Sequence, residues 1–270
     1  GSVLIDCLRV PPGSQGYAQA FEVLGSLLEQ HADELAAVIV EPIAQGAVGM
    51  RFYAPEFLKA LRELTQKRDV FLICDEVFTG YGRTGPFWAS EHAGVSPDIM
   101  CTAKGFTAGM LPMSATLTSE RVFSGFLGEG SRTFFYGHTF CGNPLGAALA
   151  REVLRVFKDE DVLALAAGKA ARLAHAFERF RALPGVVETR SLGMIGALDL
   201  AGSKSAAEGG APRDSYLETH GRRVCAEALK RGAYLRPLGN TIYITPSLNI
   251  PDADLDELLS IVEESVRAAV

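Results

Sequence analysis

The chain has 270 residues, 48% of them hydrophobic and 21% charged, enough apolar content to bury a sizeable core and far from disordered compositions. Its formal net charge of −6, with lysines and arginines scattered along helical stretches, speaks against nucleic acid or an anionic membrane as partner. Five cysteines stand far apart without a CxxC pair, which argues against a disulfide framework or a zinc site and implies a reducing, cytoplasmic setting with no bound metal.

In chain order, the first predicted element is a helix from Tyr17 to Gln30, where Phe21, Leu24 and Leu28 recur at helical spacing. A short β-branched strand follows at Leu35 to Val40. Pro55-Glu56 then opens a helix through Lys67, since proline is welcome in a first turn, and the strand Val70 to Cys74 ends at Asp75. Two more strands are predicted at Asp98 to Thr102 and Ser114 to Leu117. No apolar run reaches the roughly 20 residues that a membrane-spanning helix needs.

After Asn143-Pro144, a helix start, the pattern predicts a long helix to about Phe157 and a second from Asp161 to about Arg181. Beyond Pro184 come strands at Val186 to Thr189 and Met194 to Leu200, and a polar loop from Ala201 to Arg213. A helix, strands at Ala233 to Arg236 and Ile242 to Thr245, and a closing helix complete the series. Apolar strands alternating with amphipathic helices indicate an α/β fold with a mainly parallel sheet, in which ligands collect at the carboxyl ends of the strands. The predicted division is a large domain over 1–157 and a small α+β domain over 158–270.

Two residues at predicted strand ends carry chemistry. In "FLICDEV" Asp75 follows four apolar strand residues, where a charge is tolerated only when paired or functional. Alone, it reads equally as a helix N-cap or a metal ligand. Lys104 follows 29 residues later in "CTAKGFTAG", again just past an apolar strand; alone, it reads as a surface lysine. Together they offer an amine that can form an imine and an acid that can keep a pyridine nitrogen protonated, the two groups a pyridoxal enzyme requires.

The segments "VIVEPIAQGAVGM", "ICDEVFTGYGRTG", "SPDIMCTAKGFTAGMLPMSATL" and "YGHTFCGNPLGAA" resemble, in order, motifs of the class III (subgroup II) aminotransferases. The resemblance resumes at "YLRPLGNTIYITPSL". It implies the fold type I (aspartate aminotransferase-like) architecture, pyridoxal 5′-phosphate as cofactor, and a homodimer with a shared active site. By the same resemblance Lys104 holds the cofactor as a Schiff base and moves the proton, and Asp75 pairs with the pyridinium nitrogen. Thr139, with Gly137 and His138 beside it, gives its hydroxyl to the phosphate in the neighbouring subunit. Arg236 and Tyr243 match the region that binds the substrate carboxylate, a task suited to guanidinium because its planar fork makes two parallel bonds. Without the motif, Thr139 reads as a loop hydroxyl and Arg236 as a surface arginine. Arg83 in "GYGRTG" reads either as a further substrate ligand or as a brace for its own loop.

Ornithine- and 4-aminobutyrate-type members carry a glutamate after the Gln-Gly pair that neutralises the active-site arginine; here Ala47 follows Gln45-Gly46. With Gly49-Met50 and Phe78, this resembles the diaminopelargonate-forming branch, which implies transfer of an amino group to 8-amino-7-oxononanoate from adenosylmethionine or lysine. Another ω-amino-acid transaminase, an aminomutase or a non-catalytic interaction module stays open as a reading. Family members also carry an N-terminal portion with a small-residue phosphate loop and an aromatic residue stacked on the pyridine ring, and no counterpart stands before Leu35. The expectation is a fragment or one half of a divided enzyme, inactive by itself.

Overall fold

The computed structural model describes residues 7–10, 17–201 and 219–270. The helix α1 (Tyr17–Gln30) buries Leu24 and Leu28, and β1 (Ala37–Val40) follows it. A two-residue-per-strand hairpin, β2 (Ala44–Gln45) with β3 (Arg51–Phe52), leads to α2 (Pro55–Lys67), which starts with Pro55 in its first turn and buries Leu58 and Leu61. Next come β4 (Phe71–Asp75), β5 (Ile99–Thr102), β6 (Ala115–Thr118) and the short α3 (Glu120–Ser124).

The sheet order is β1-β4-β5-β6. β1, β4 and β5 run parallel, in the register Val40 to Cys74 and Asp75 to Cys101, so their carboxyl ends share one edge. β6 pairs antiparallel with β5. A core of Leu24, Leu28, Leu58, Leu61, Leu72 and Cys74 packs α1 and α2 against this sheet.

Asn143 opens α4 (Pro144–Asp159) by accepting a bond from the Leu145 N–H at 3.0 Å, with Pro144 in the first turn, as the sequence leads one to expect. Asp161, at φ 47°, breaks the chain before α5 (Val162–Phe180). The strands β7 (Val186–Leu192) and β8 (Ile195–Leu200) form a hairpin, α6 (Thr219–Lys230) follows, and β9 (Thr241–Ile244) joins β8 antiparallel before the closing α7 (Asp252–Ala269). Phe177, Phe180, Leu198, Ile242 and Val262 lie at the heart of this second core. The strand expected at Ala233 to Arg236 does not form. Pro237 follows it without an N–H to donate, and the only ladder contact nearby is the Leu238–Thr241 bridge around a left-handed Gly239. The polar loop expected from Ala201 to Arg213 lies, beyond Ala201, outside the described residues.

Candidate active site

Because β1, β4 and β5 are parallel, the residues that leave their carboxyl ends converge, as in other open α/β sheets. Glu41 follows β1, Asp75 ends β4, and Lys104 stands two residues beyond β5. Lys104 begins a single turn of 3-10 helix, Lys104–Thr107, in a left-handed conformation with φ 43°. Its side chain is exposed to an open cavity, and its Nζ lies 5.3 Å from the centroid of the Phe78 ring. Asp75 is half-buried and its Oδ1 accepts the Val77 N–H at 3.0 Å, which fixes the carboxylate at the strand end.

Glu41 belongs to this group too, a residue outside those expected from the sequence. Its Oε2 accepts the Gly46 N–H at 3.1 Å. Burial pushes its carboxyl above the usual range; the Gly46 bond opposes this, Asp75 adds to it, and the Lys104 charge opposes it. Its sequence context, an apolar strand ending in an acid, is the signal that singled out Asp75 in "FLICDEV". Glu76 is a second acid without a predicted role. Fully buried, it accepts bonds from Thr79 Oγ1 at 2.6 Å and from the N–H groups of Ala89 and Ser90 at 3.0 and 2.8 Å, so it ties the following loop to the sheet.

The cavity measures about 1190 Å³, and Lys104, Glu41, Phe78, Ala47, Arg236 and Tyr243 are among the residues that line it. Arg236 is exposed and has neither a carboxylate nor a hydrogen-bond partner among the described residues. Arg83 lines the same cavity, but its Nη1 donates to the carbonyls of Met194 at 3.1 Å and Pro246 at 2.6 Å. Burial pushes its guanidinium down to about 10. Met194 N–H returns a bond to the Arg83 carbonyl at 3.0 Å, and a Cβ on Gly193 would come within 2.5 Å of that same oxygen. Arg83 therefore braces the Gly80–Gly85 loop against the β7–β8 turn while still lining the cavity.

A charge network centred on the buried Asp199 fixes the wall formed by the Gly46–Met50 loop. Arg190 donates to the carbonyls of Met50 (2.7 Å) and Gly49 (2.5 Å) and to both Asp199 oxygens (2.9 and 3.0 Å). Arg51 and Thr241 reach the same carboxylate at 3.1 and 2.6 Å. The loop that carries Gly46, Ala47 and Met50 is thereby held to β8 and β9, the latter carrying Tyr243. Gly137, His138 and Thr139 are not brought to the cavity within this chain. They lie in an exposed stretch before α4, where His138 Nδ1 accepts the Phe140 N–H at 3.1 Å. Among the described residues, no group of His, Cys, Asp and Glu could hold a metal ion. No described helix is long and apolar enough to cross a membrane.

A lysine amine and two acids gather at the carboxyl edge of a parallel sheet, and Arg236, without a partner among the described residues, lines the same cavity as Lys104 and Glu41. Residues 6–266 match the family "Aminotransferase class-III", and the chain belongs to that family. It is 40% identical over 267 residues to the adenosylmethionine-8-amino-7-oxononanoate aminotransferase of Geobacter sulfurreducens, covering 97% of this chain and 58% of the relative. Against the enzyme of that name from Aquifex aeolicus it is 37% identical, covering 93% of this chain and 54% of the relative.

Among solved structures, the adenosylmethionine-8-amino-7-oxononanoate aminotransferase of Methanocaldococcus jannaschii superposes with a TM-score of 0.85 at 32% identity, over 93% of this chain and 57% of that one. An amine transaminase from an uncultivated Pseudomonas species, in its PLP-bound form, gives 0.85 at 32% identity, over 94% and 57%. The chain thus spans a little over half the length of the relatives it matches.

Proposed function

We propose that the protein to which this chain belongs is a pyridoxal-phosphate-dependent aminotransferase that delivers an amino group to 8-amino-7-oxononanoate, forming 7,8-diaminononanoate in biotin synthesis. The observation that carries this reading is the presence, in one cavity, of the Lys104 amine and an Arg236 that no acid among the described residues covers, Ala47 standing where the resemblance puts a neutralising glutamate in other members. An open guanidinium selects an acceptor that keeps a carboxylate throughout the reaction. The names of the relatives support the same acceptor.

The residues present fit the cofactor at two of its chemical groups. Lys104 offers the amine for the carbonyl carbon, and Asp75, anchored by Val77, offers the acid for the ring nitrogen. When bound, pyridoxal phosphate supplies an aromatic ring that accepts the electron pair of the substrate's C–H bond. The chain's own residues do the rest. Lys104 would take the proton from the amino-bearing carbon and deliver it to the cofactor's C4′ carbon; Asp75 would keep the ring nitrogen protonated; Arg236, with Tyr243 beside it, would orient the carboxylate. The exposed Thr139 would serve the phosphate of a second subunit, so the working form is proposed as a homodimer. The division into units 1–157 and 158–270 is likewise a proposal, falling in the last turn of α4, just before the break at Asp161. A cytoplasmic location fits Cys74, Cys101, Cys141 and Cys225, none of which forms a disulfide among the described residues.

A second reading, an amine or ω-amino-acid transaminase, is favoured by the equal superposition on the Pseudomonas amine transaminase. Incubating the full-length protein with 8-amino-7-oxononanoate and either adenosylmethionine or lysine separates the two and identifies the donor. The expected product by mass spectrometry is 7,8-diaminononanoate; turnover of simple amines with none of that acceptor would favour the second reading.

A further inference from the structure

Tyr81 grips the chain on both sides of Lys104. Two residues before the lysine, Thr102 Oγ1 donates to the Tyr81 hydroxyl at 3.0 Å, a bond sealed from solvent. One residue after it, a Cβ on Gly105 would fall 2.6 to 2.8 Å from the Tyr81 side-chain carbons, so the ring lies directly on the Gly105 backbone. The ring cannot easily move away, because Phe87 and Trp88 meet it edge-on at 5.2 and 5.0 Å between centroids. Both Tyr81, at φ 57°, and Lys104, at φ 43°, hold the left-handed conformation that a residue with a Cβ adopts only when its surroundings over-determine it.

We infer that Tyr81 is the positioning residue of the active-site amine, its hydroxyl on Thr102 and its ring on Gly105 together holding Lys104 in the left-handed turn that aims Nζ into the cavity. This rests on the reading of Lys104 as the cofactor-bearing lysine. Proton transfer tolerates misplacement of only about 0.5 Å, so a loosened Lys104 should lower kcat and leave substrate binding at Arg236 largely intact.

The test uses the full-length protein with its cofactor and the variants Tyr81→Phe, Tyr81→Leu, Gly105→Ala and the double variant Tyr81→Leu/Gly105→Ala. Borohydride labelling of the unmodified protein is mapped first. The pH midpoint of the cofactor absorbance band is then titrated, and kcat and KM are measured, with melting temperature as the check on folding. Tyr81→Leu is expected to move the midpoint by about half a pH unit or more and to lower kcat by about tenfold, with KM changed far less. Tyr81→Phe should fall between it and the parent. Gly105→Ala should resemble Tyr81→Leu, and the double variant should lose far less than the product of the two single losses, because both substitutions disturb one and the same contact. If Gly105→Ala does not fold, the two Tyr81 variants still decide. A label at Lys104 with the parental midpoint and kcat retained in Tyr81→Leu would overturn the role of Tyr81 alone. A label on a different lysine would overturn both readings.

Discussion

Asp75 shows how far a single residue can be interpreted. Its charge stands at the end of an apolar strand, an anomaly that the sequence displays without any structure. What the sequence does not display is its anchor, the Val77 N–H that holds Oδ1 at 3.0 Å. Asp75→Asn keeps that bond's geometry but removes the acid, so turnover in the full-length enzyme should fall by orders of magnitude with the melting temperature little changed. Steady-state kinetics beside a thermal melt checks this, and near-normal turnover would exclude the role. Arg236→Lys keeps the charge and loses the fork; the expected outcome is a rise in KM for carboxylate-bearing acceptors of roughly tenfold or more, the cost of about one charge-assisted bond. An unchanged KM would remove Arg236 from the substrate. Glu41 carries the same signal as Asp75, yet its significance depends on β1 lying beside β4, a contact between residues more than 30 positions apart that local pattern does not encode.

At the scale of elements, α1, α2, α4 and α5 stand close to where hydrophobic spacing and proline placement put them, because a 3.6-residue period over several turns is a strong local signal. The strands are harder. β2 and β3 are too short for any period, and the direction of β6 is set by its partner β5 and not by its own residues. The network centred on Asp199 is likewise invisible in sequence, since its members lie as far apart as Arg51 and Thr241.

Its energetics yield a pH prediction. Burial alone would raise the Asp199 carboxyl, but the bonds and charge of Arg190, the Thr241 hydroxyl and Arg51 outweigh it and hold the group below its usual range. A depressed acid stabilises the fold above its unfolded pKa and loses that contribution as pH falls through the folded value, so this effect belongs to the window below about pH 4. Asp199→Asn should flatten that part of a stability-versus-pH curve. Stranding Arg190 should also cost about 3 to 5 kcal/mol at neutral pH. Urea melts of both forms across acid pH would show it, and parallel curves would contradict it.

At the scale of the whole molecule, the stretch before α4 exposes a run of aromatic side chains among the described residues. Phe135, Tyr136 and Phe140 are 88%, 79% and 80% exposed, with Phe126, Phe134 and Leu145 close by in sequence. Apolar surface of this kind is costly to leave in water, and the proposed homodimer would cover it. Thr139 lies within it, away from the cavity of its own chain, which fits a residue that serves the neighbouring subunit. Replacing Tyr136 and Phe140 with serine in the full-length protein is therefore expected to shift sedimentation from dimer to monomer and to weaken cofactor retention together. Loss of neither would place the subunit contact elsewhere. Composition alone shows only that enough apolar surface exists to build both a core and such a face.

The most direct measurement is borohydride reduction of the cofactor-loaded full-length protein followed by peptide mapping. The expected result is a single reduced pyridoxyl group on the peptide "CTAKGFTAGM" at Lys104, absent from Lys104→Ala together with all turnover. A label on any other lysine, or a Lys104→Ala protein that still transaminates, would contradict the assignment of the site.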